Sequence, residues 1–163
     1  LAHLKGRKDI WLVDQDVTKD LSWLFSKEID WIVNAASVAS PIQYQKHGLK
    51  TLMTNIMGTA KMLEVAEICG AKGFLQMSSS EVYGNNPPIP TPETYVGAVA
   101  TMTKRACYDV SKLAGETLCW LYKDKVPVKV ARPFNIFGPG HVLGDGRIVP
   151  QLMDAVINRK PCV

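Results

Sequence analysis

Residues that build metal sites and disulfide frameworks are few in this sequence of 163 residues. The four cysteines show no Cys-x-x-Cys spacing, and three of them, Cys69, Cys107 and Cys119, fall in apolar segments, which favours buried free thiols. The fourth, Cys162, lies near the end, and the three histidines, the first of them His3, are scattered along the chain. This scatter argues against zinc chemistry, so we expect no metal site.

Long apolar runs are also absent. No run approaches the roughly 18 residues that a membrane-spanning helix requires, and the opening "LAHLKGRKDIWLV" lacks the order and length of a secretory signal. Hydrophobic residues make up 47% of the chain and charged residues 21%, which is ordinary for a soluble globular domain. The sequence therefore predicts one cytoplasmic domain without a membrane partner.

Charge is not concentrated in any one part of the chain. The formal net charge of +4 is spread along it, which leaves a nucleic-acid surface without support. A small anionic ligand suits this balance.

Four short runs rich in apolar and β-branched residues predict buried strands. They are "IWLV" (10–13), "WIVNAA" (31–36), "FLQMSS" (74–79) and "VKVARP" (128–133).

Helical spacing occupies the stretches between and after these runs, near 20–28, 47–69, 102–122 and 148–158. Strands that alternate with helices indicate right-handed crossovers and a parallel sheet covered on both faces. The expected fold class is therefore α/β with a doubly wound sheet. A long proline-rich segment at 79–101 starts at the end of a predicted strand, where open α/β sheets bind ligands.

The glycine-rich turn that opens most dinucleotide-binding domains is missing. No Gly-x-Gly-x-x-Gly follows a strand, and the Gly-x-Gly pairs at 138–140 and 144–146 come late in the chain. Either the protein binds no dinucleotide, or these residues are an internal piece of a longer protein.

The stretch "ACYDVSK" places Tyr108 four residues before Lys112, on one face of a predicted helix. This spacing taken alone is typical both of a solvated helix face and of a catalytic pair.

Six motifs together resemble one family, the extended short-chain dehydrogenase/reductases that act on nucleotide sugars. The resemblance implies a Rossmann-like NAD-binding domain. It also implies that residues 1–163 are a partial domain, without a second domain, that lacks both the glycine-rich first βαβ unit and the C-terminal substrate region and is inactive alone. The motifs are "DQDV" (14–17), "NAASVASP" (34–41), "KTLMTNIMGT" (50–59), "SSSEVYG" (78–84), "RACYDVSK" (105–112) and "RPFNIFGPG" (132–140).

The same resemblance implies the catalytic roles. Tyr108 is the expected base for a sugar hydroxyl, and the Lys112 ammonium and a positively charged nicotinamide favour its phenolate. Lys112 is also expected to hold the nicotinamide ribose, and the Ser79 hydroxyl to bind the reacting oxygen. Glu81 occurs in relatives that eliminate carbon dioxide or water, whereas relatives that only epimerise at C4 usually lack this carboxylate.

Ser80 separates the remaining chemistries. The 4,6-dehydratases resemble "STDEVYG", whose aspartate acts as an acid that a serine cannot replace. The UDP-glucuronate decarboxylases resemble "STSEVYG", close to the "SSSEVYG" here, and their "NDGRVV" resembles "GDGRIVP" (144–150). Asn34 in place of a histidine and "GPG" in place of "GPR" depart from their pattern. A decarboxylase is therefore the favoured prediction, with a 4-epimerase or a 4,6-dehydratase as the alternative and a non-catalytic binding or oligomerisation module as the rival.

The resemblance also implies ligand contacts. A UDP-sugar is the expected substrate, and a homodimer through the helices near 47–69 and 102–122 is the expected assembly. Candidate NAD-binding residues are Asp16, Val17, Ala35, Ala36, Thr51, Tyr108, Lys112 and Arg147, and candidate substrate-binding residues are Lys50, Ser80 and Asn135.

Overall fold

A three-stranded parallel sheet forms the centre of the molecule. The computed structural model of the chain describes residues 4, 6–143 and 146–161. His3, Cys162 and the first two residues of "GDGRIVP" lie outside the described residues. The strands β1 (Trp31–Asn34), β2 (Gly73–Met77) and β3 (Val128–Ala131) lie in the order β1-β2-β3, which confirms three of the four predicted strands.

The prediction of a buried strand at residues 10–13 is wrong. Trp11, Leu12 and Val13 are exposed, and this segment makes no ladder with β1, β2 or β3. A strand needs a neighbour whose backbone groups pair with its own. The segment pairs with none of the three strands, so its apolar composition alone does not make it a strand.

The helices follow the strands in the expected alternation. They are α1 (Pro41–Lys46), α2 (Gly48–Met53), a wider π-helical turn (Thr54–Gly58), α3 (Thr59–Ile68), α4 (Ala106–Tyr122) and α5 (Ile148–Ile157).

These bounds confirm the predicted helices near 47–69, 102–122 and 148–158, while α1 was not predicted. The helix expected near 20–28 is wrong, because only a 3-10 turn, Ser22–Leu24, forms there. The Asp20 carboxylate accepts hydrogen bonds from the backbone N–H and the hydroxyl of Ser22. Such local side-chain bonds compete with helix formation, and a segment this short has little helical stability to oppose them.

The π-helical turn fits closely against the preceding loop. A Cβ atom on Gly58 would lie 2.7 Å from Cγ2 of Val17, so only glycine permits this approach. Val17 is thereby held against the helix that continues into α3.

The hydrophobic core lies between the sheet and the helices α3 and α4. Ile32 and Phe74 face it from paired positions on β1 and β2, and Leu63 and Cys119 meet them from the two helices. Trp31 and Val33 alternate to the other side of β1 and are largely exposed. No helix of the described part of the chain is long and apolar enough to cross a membrane.

The proline-rich segment at 79–101 contains no long helix or strand. It begins with a 3-10 helix, Ser80–Tyr83, and its next residue, Gly84, forms an isolated bridge with Ala98. Gly84 has a φ of 70°, and a Cβ there would lie 2.2 Å from the carbonyl oxygen of Ala98. This glycine therefore brings the loop back against the end of β2.

Candidate active site

A cavity of about 450 Å³ opens where the chain leaves β2 and β3 and where α4 begins. The carboxyl ends of parallel strands are the usual ligand-binding edge of such sheets. Six of the residues predicted from sequence line this cavity: Ser79, Ser80, Glu81, Tyr108, Asn135 and Arg147.

Ser79 is held at the junction between β2 and the following 3-10 helix. Its backbone is extended, and its hydroxyl oxygen accepts a hydrogen bond of 3.3 Å from the backbone N–H of Glu81. The same hydroxyl is hydrogen-bonded to the Tyr108 phenol, which lowers the pKa of Tyr108. Ser79 and Tyr108 therefore present their oxygens together in the cavity.

Tyr108 lies in the first turn of α4 and is 8% exposed. Its ring stacks on that of Tyr44, with centroids 4.9 Å apart and an interplanar angle of 14°. Burial raises the pKa of Tyr108, and this effect outweighs the lowering by the Ser79 hydrogen bond and by the charge of Arg147. The chain by itself therefore keeps the phenol neutral at physiological pH.

Lys112 lies one turn further along α4, behind the tyrosine. Its Nζ is 5.5 Å from the centroid of the Tyr108 ring and donates a hydrogen bond of 2.8 Å to the carbonyl oxygen of Met77. Because the side chain is buried, the pKa of its amine is lowered to about 8. The predicted pair is thus close together, but Lys112 is anchored on β2 and does not line the cavity.

Glu81 forms an ion pair at the cavity wall. Its Oε2 lies 2.6 Å from Nη2 of Arg105, and Nε of the same arginine lies 3.6 Å from Oδ2 of Asp109. Burial raises the pKa of Asp109, an effect that the Arg105 charge opposes. One guanidinium group therefore lies between two carboxylates, and its own side chain is still 45% exposed.

Buried hydrogen bonds hold the first turn of α4 in place. Asn55, in the π-helical turn, donates a hydrogen bond of 2.8 Å to the Ser111 hydroxyl, which in turn donates to the carbonyl oxygen of Tyr108. Further along α4, Glu116 accepts two hydrogen bonds from Arg132, which follows β3. These contacts tie the helix that carries Tyr108 and Lys112 to the sheet.

Asp16 lies in an exposed turn, with its carboxylate fixed by its neighbour. Its Oδ1 accepts hydrogen bonds of 2.9 Å and 2.8 Å from the backbone N–H and the hydroxyl of Thr18, and these bonds lower its pKa. The charge of Lys50 lowers that pKa further, which places Lys50 on the Asp16 side of the molecule. Lys50 does not line the cavity. The structure therefore separates it from Ser80 and Asn135, the other two residues predicted to bind the substrate.

The predicted cofactor residues from β1 and α2 differ in accessibility. Ala35 and Ala36 directly follow β1 and are at least partly exposed, so the backbone can approach a ligand there. Thr51 is completely buried, and its hydroxyl donates to the carbonyl oxygen of His47. Its expected contact with the nucleotide stays a prediction.

The residues that follow β1 fit a dinucleotide. The hydroxyl oxygen of Ser37, next to Ala35 and Ala36, is buried without a hydrogen-bond partner among the described residues. The small side chains leave room for the cofactor to approach the backbone. The unpaired Ser37 hydroxyl and the fixed Asp16 carboxylate can form hydrogen bonds with polar groups of NAD. No group of three His, Cys, Asp or Glu side chains in the described part of the chain could hold a metal ion.

Among the cavity and near-cavity residues that were not assigned from sequence, four carry ionisable groups. Arg105 and Asp109 stand four apart around Tyr108, a spacing that places them on one helix face and could have revealed them. Tyr44 and His141 come from distant parts of the chain. No local pattern marks either of them, because their place in the site depends on how α1 and the segment before α5 pack.

The comparison with protein families matches the whole described chain. The model of the NAD dependent epimerase/dehydratase family matches residues 2–163. The chain belongs to this family. That result confirms the predicted family, its Rossmann-like fold and its NAD cofactor.

Individual relatives agree with this family. A UDP-glucuronic acid decarboxylase from Arabidopsis thaliana is 39% identical over 163 residues, which are 99% of this chain and 36% of that protein. One from Xenopus tropicalis is 42% identical over 155 residues, 94% of this chain and 36% of that protein. An epimerase structure from Methanothermobacter thermautotrophicus superposes with a TM-score of 0.83 at 28% identity, over 96% of this chain and 47% of that one. The chain spans about a third to a half of the length of these relatives.

Proposed function

We propose that this chain is part of an NAD-dependent enzyme that decarboxylates UDP-glucuronate. The single observation that carries the proposal is the grouping of Ser79, Glu81 and Tyr108 around one cavity, with Lys112 behind the tyrosine. Similarity to curated UDP-glucuronic acid decarboxylases at about 40% identity supports the same reaction. Residues 1–163 then form part of the NAD-binding domain.

Tyr108 is the proposed acid and base of this reaction. It takes the proton of the C4 hydroxyl, with Ser79 holding the same oxygen, and returns a proton when the ketone is reduced. NAD supplies hydride acceptance and return at C4. Because burial raises the pKa of Tyr108, the phenol needs nearby positive charge to ionise, and Lys112 and Arg147 are the cations that the chain places near it.

Decarboxylation uses the ketone as its electron sink. With C4 oxidised, the substrate is a β-keto acid, so the C5–carboxyl bond breaks as carbon dioxide leaves and its electron pair forms an enolate. A proton then adds at C5, and reduction at C4 completes the cycle. Glu81, fixed by Arg105 at the cavity wall, is the proposed group that orients the sugar and handles the proton at C5.

Two other reactions of the family remain candidates. The likeness to an epimerase structure at 28% identity favours epimerisation as the second candidate, and the sequence motifs name C4 as its position. Dehydration is less well supported, because Ser80 occupies the position where the dehydratase pattern has an acid. A non-catalytic module would not require Ser79, Tyr108 and Lys112 to be kept together.

The experiment that tests the proposal is product analysis. The protein expressed at full length is incubated with NAD and, separately, with UDP-glucuronate, UDP-glucose and UDP-N-acetylglucosamine, and the products are followed by mass. Loss of carbon dioxide from UDP-glucuronate supports the proposal. A change of configuration without a change of mass would support the epimerase, and loss of water would support the dehydratase.

A homodimer is the proposed assembly. The helices α2 and α4 pack side by side and leave Leu49, Trp120 and Leu121 exposed. Apolar side chains on the outer face of a helix pair are typical of a subunit contact. Elsewhere on α2, α3 and α4, Leu52, Met62 and Leu118 are half-buried and Leu63 is fully buried in the core. The proposed compartment is the cytoplasm.

A further inference from the structure

Glu116 and Arg132 form a largely buried ion pair that the proposed reaction does not use. The guanidinium donates from Nε to Oε1 of the carboxylate at 2.9 Å and from Nη2 to Oε2 at 2.6 Å, and the side chains of Glu116 and Arg132 are 14% and 28% exposed. Neither residue lines the active-site cavity. Two parallel hydrogen bonds to a planar guanidinium fix direction as well as distance, so the pair is a rigid connection between α4 and the chain that follows β3.

The Glu116 carboxylate also holds Ser78, which comes directly after β2. The Ser78 hydroxyl donates to Oε1 of Glu116, and Ser78 is 4% exposed. The backbone N–H of Ser78 donates at 2.8 Å to the carbonyl oxygen of Ala131, the residue before Arg132. Ser78 is therefore held through its side chain and its backbone, directly before Ser79.

Arg132 holds the chain on the other side of Ser79 as well. Its Nη1 donates at 3.2 Å to the Tyr83 hydroxyl and at 2.8 Å to the carbonyl oxygen of Glu93. Tyr83 is the last residue of the 3-10 helix that begins after Ser79, and its ring centroid lies 5.0 Å from Cζ of Arg132. The ion pair is thus bonded to the chain both before and after Ser79.

We infer that Glu116 and Arg132 are positioning residues that hold the Ser79 hydroxyl against the Tyr108 phenol. The kinetic part of the inference rests on the proposed function, in which Ser79 and Tyr108 act on the same sugar oxygen. A misplacement of about 1 Å costs about 100-fold in rate, so contacts that fix Ser79 from both sides bear directly on catalysis.

The first test is the ionisation of Tyr108, which needs neither substrate nor turnover. It is followed in the full-length protein as the ultraviolet difference between each variant and the same variant with Tyr108→Phe. Burial raises the pKa of Tyr108 and the Ser79 hydrogen bond opposes this effect, so a misplaced Ser79 raises the pKa further. Ser78→Ala and Glu116→Gln should therefore raise this pKa, as Ser79→Ala does. Neither should raise it again once residue 79 is alanine.

The expected sign separates positioning from a direct effect of charge. Removal of a negative charge favours the ionised form of a nearby phenol, so Glu116→Gln acting through charge alone would lower the pKa of Tyr108. The other titratable groups that face the phenol are the same in every variant. They are Tyr44 on α1, Glu81 in the 3-10 helix, Asp109 and Lys112 on α4, and Arg147 before α5.

The second test is the rate of the first oxidation, measured as reduced nicotinamide in a single turnover with UDP-glucuronate. Ser78→Ala should lower the maximal rate about 10- to 100-fold, the range of one hydrogen bond to a charged group. The substrate concentration that gives half of the maximal rate should stay nearly unchanged, since the binding groups remain. In a Ser79→Ala background the same substitution should have almost no effect, because coupled residues are not additive.

Two further variants complete the test. Arg132→Lys should also lower the maximal rate, because lysine keeps the charge but lacks the planar fork that reaches three partners at once. Glu67→Gln is the matched control. It breaks an exposed ion pair with Lys125, whose N–O distance is 2.9 Å, and should change neither the pKa of Tyr108 nor the rate.

An unchanged pKa of Tyr108 in Ser78→Ala and Glu116→Gln would overturn the inference. The same shift in a Ser79→Ala background would overturn it too, because the effect would then not pass through Ser79. If Glu116→Gln does not fold, Ser78→Ala still decides, since it removes only the hydroxyl that links the ion pair to the end of β2. If wild type reduces no bound NAD with UDP-glucuronate, the proposed function fails, and the titration alone decides whether the ion pair positions Ser79.

Discussion

Nζ of Lys112 donates a hydrogen bond of 2.8 Å to the carbonyl oxygen of Met77, at the end of β2, and not to the Tyr108 phenol. The amine is buried, and its pKa is lowered to about 8. Lys112 therefore lies behind the Tyr108 ring, and its amine is still mostly protonated near pH 7 but loses its charge as the pH rises past about 8.

The buried amine predicts a pH-dependent stability. The ordinary pKa of lysine is 10.5 and the folded value is about 8, so the unfolded chain binds more protons between these values. The free energy of unfolding from this group consequently rises with pH across that window. In thermal unfolding of the full-length protein, wild type should gain stability over Lys112→Met as the pH rises from about 8 to 10.5. If the stability difference between wild type and Lys112→Met does not change with pH, the lowered pKa of Lys112 is contradicted. The same holds if wild type gains stability over a Lys104→Met control in the same way.

Tyr108→Phe tests the proposed base. Phenylalanine keeps the stacking on Tyr44 and removes only the oxygen, so the fold should be retained while turnover falls about 10²- to 10⁴-fold. The upper end is expected, because oxidation and re-reduction pass through the same phenol. Tyr122→Phe, in the same helix but away from the cavity, is the matched control and should keep its activity. If Tyr108→Phe turns over at a rate near that of wild type, Tyr108 and Lys112 are only neighbours on a helix face and have no catalytic role.

Glu81→Gln should affect a different step. Glutamine keeps the size and reach of the side chain but loses the charge that pairs with Arg105. Carbon–carbon bond cleavage or reprotonation should then slow more than the first oxidation. In a single turnover with UDP-glucuronate, the absorbance of reduced nicotinamide should rise and persist. If neither slowing nor accumulation is seen, 4-epimerisation becomes the better assignment.

The outer face of α2 and α4 predicts the oligomeric state. Leu49 is 75% exposed and Leu121 is 66% exposed. A glutamate at either position should convert a full-length dimer to monomers in sedimentation, since a charge would replace an apolar contact. Ile89→Glu, in the exposed loop, should leave the dimer intact. A wild-type protein that is monomeric at micromolar concentration would exclude this contact.

The sequence predicted well those elements whose local pattern and tertiary surroundings agree. The strand at 73–77 and the helix at 106–122 have apolar residues that the core covers, so periodicity was sufficient. The segment at 10–13 is equally apolar but pairs with no strand of the sheet. Whether a neighbouring strand is present cannot be read from the composition of the segment itself.

The site followed the same rule. Ser79, Glu81 and Tyr108 belong to compact motifs and could be named in advance as residues of one cavity. Tyr44 could not, because its role depends on a contact between α1 and α4 that no local spacing encodes. The raised pKa of Tyr108 could not be predicted either. The sequence indicated the nearby charge of Lys112, but the burial that raises this pKa depends on the tertiary packing around the ring.

The most direct measurement of the central claim uses UDP-glucuronate labelled with carbon-13 at its carboxyl carbon. The full-length protein with NAD should release the label as carbon dioxide and leave an unlabelled UDP-pentose, and the Tyr108→Phe variant should release almost none. Retention of the label in a UDP-sugar that the protein has nevertheless converted would contradict decarboxylation.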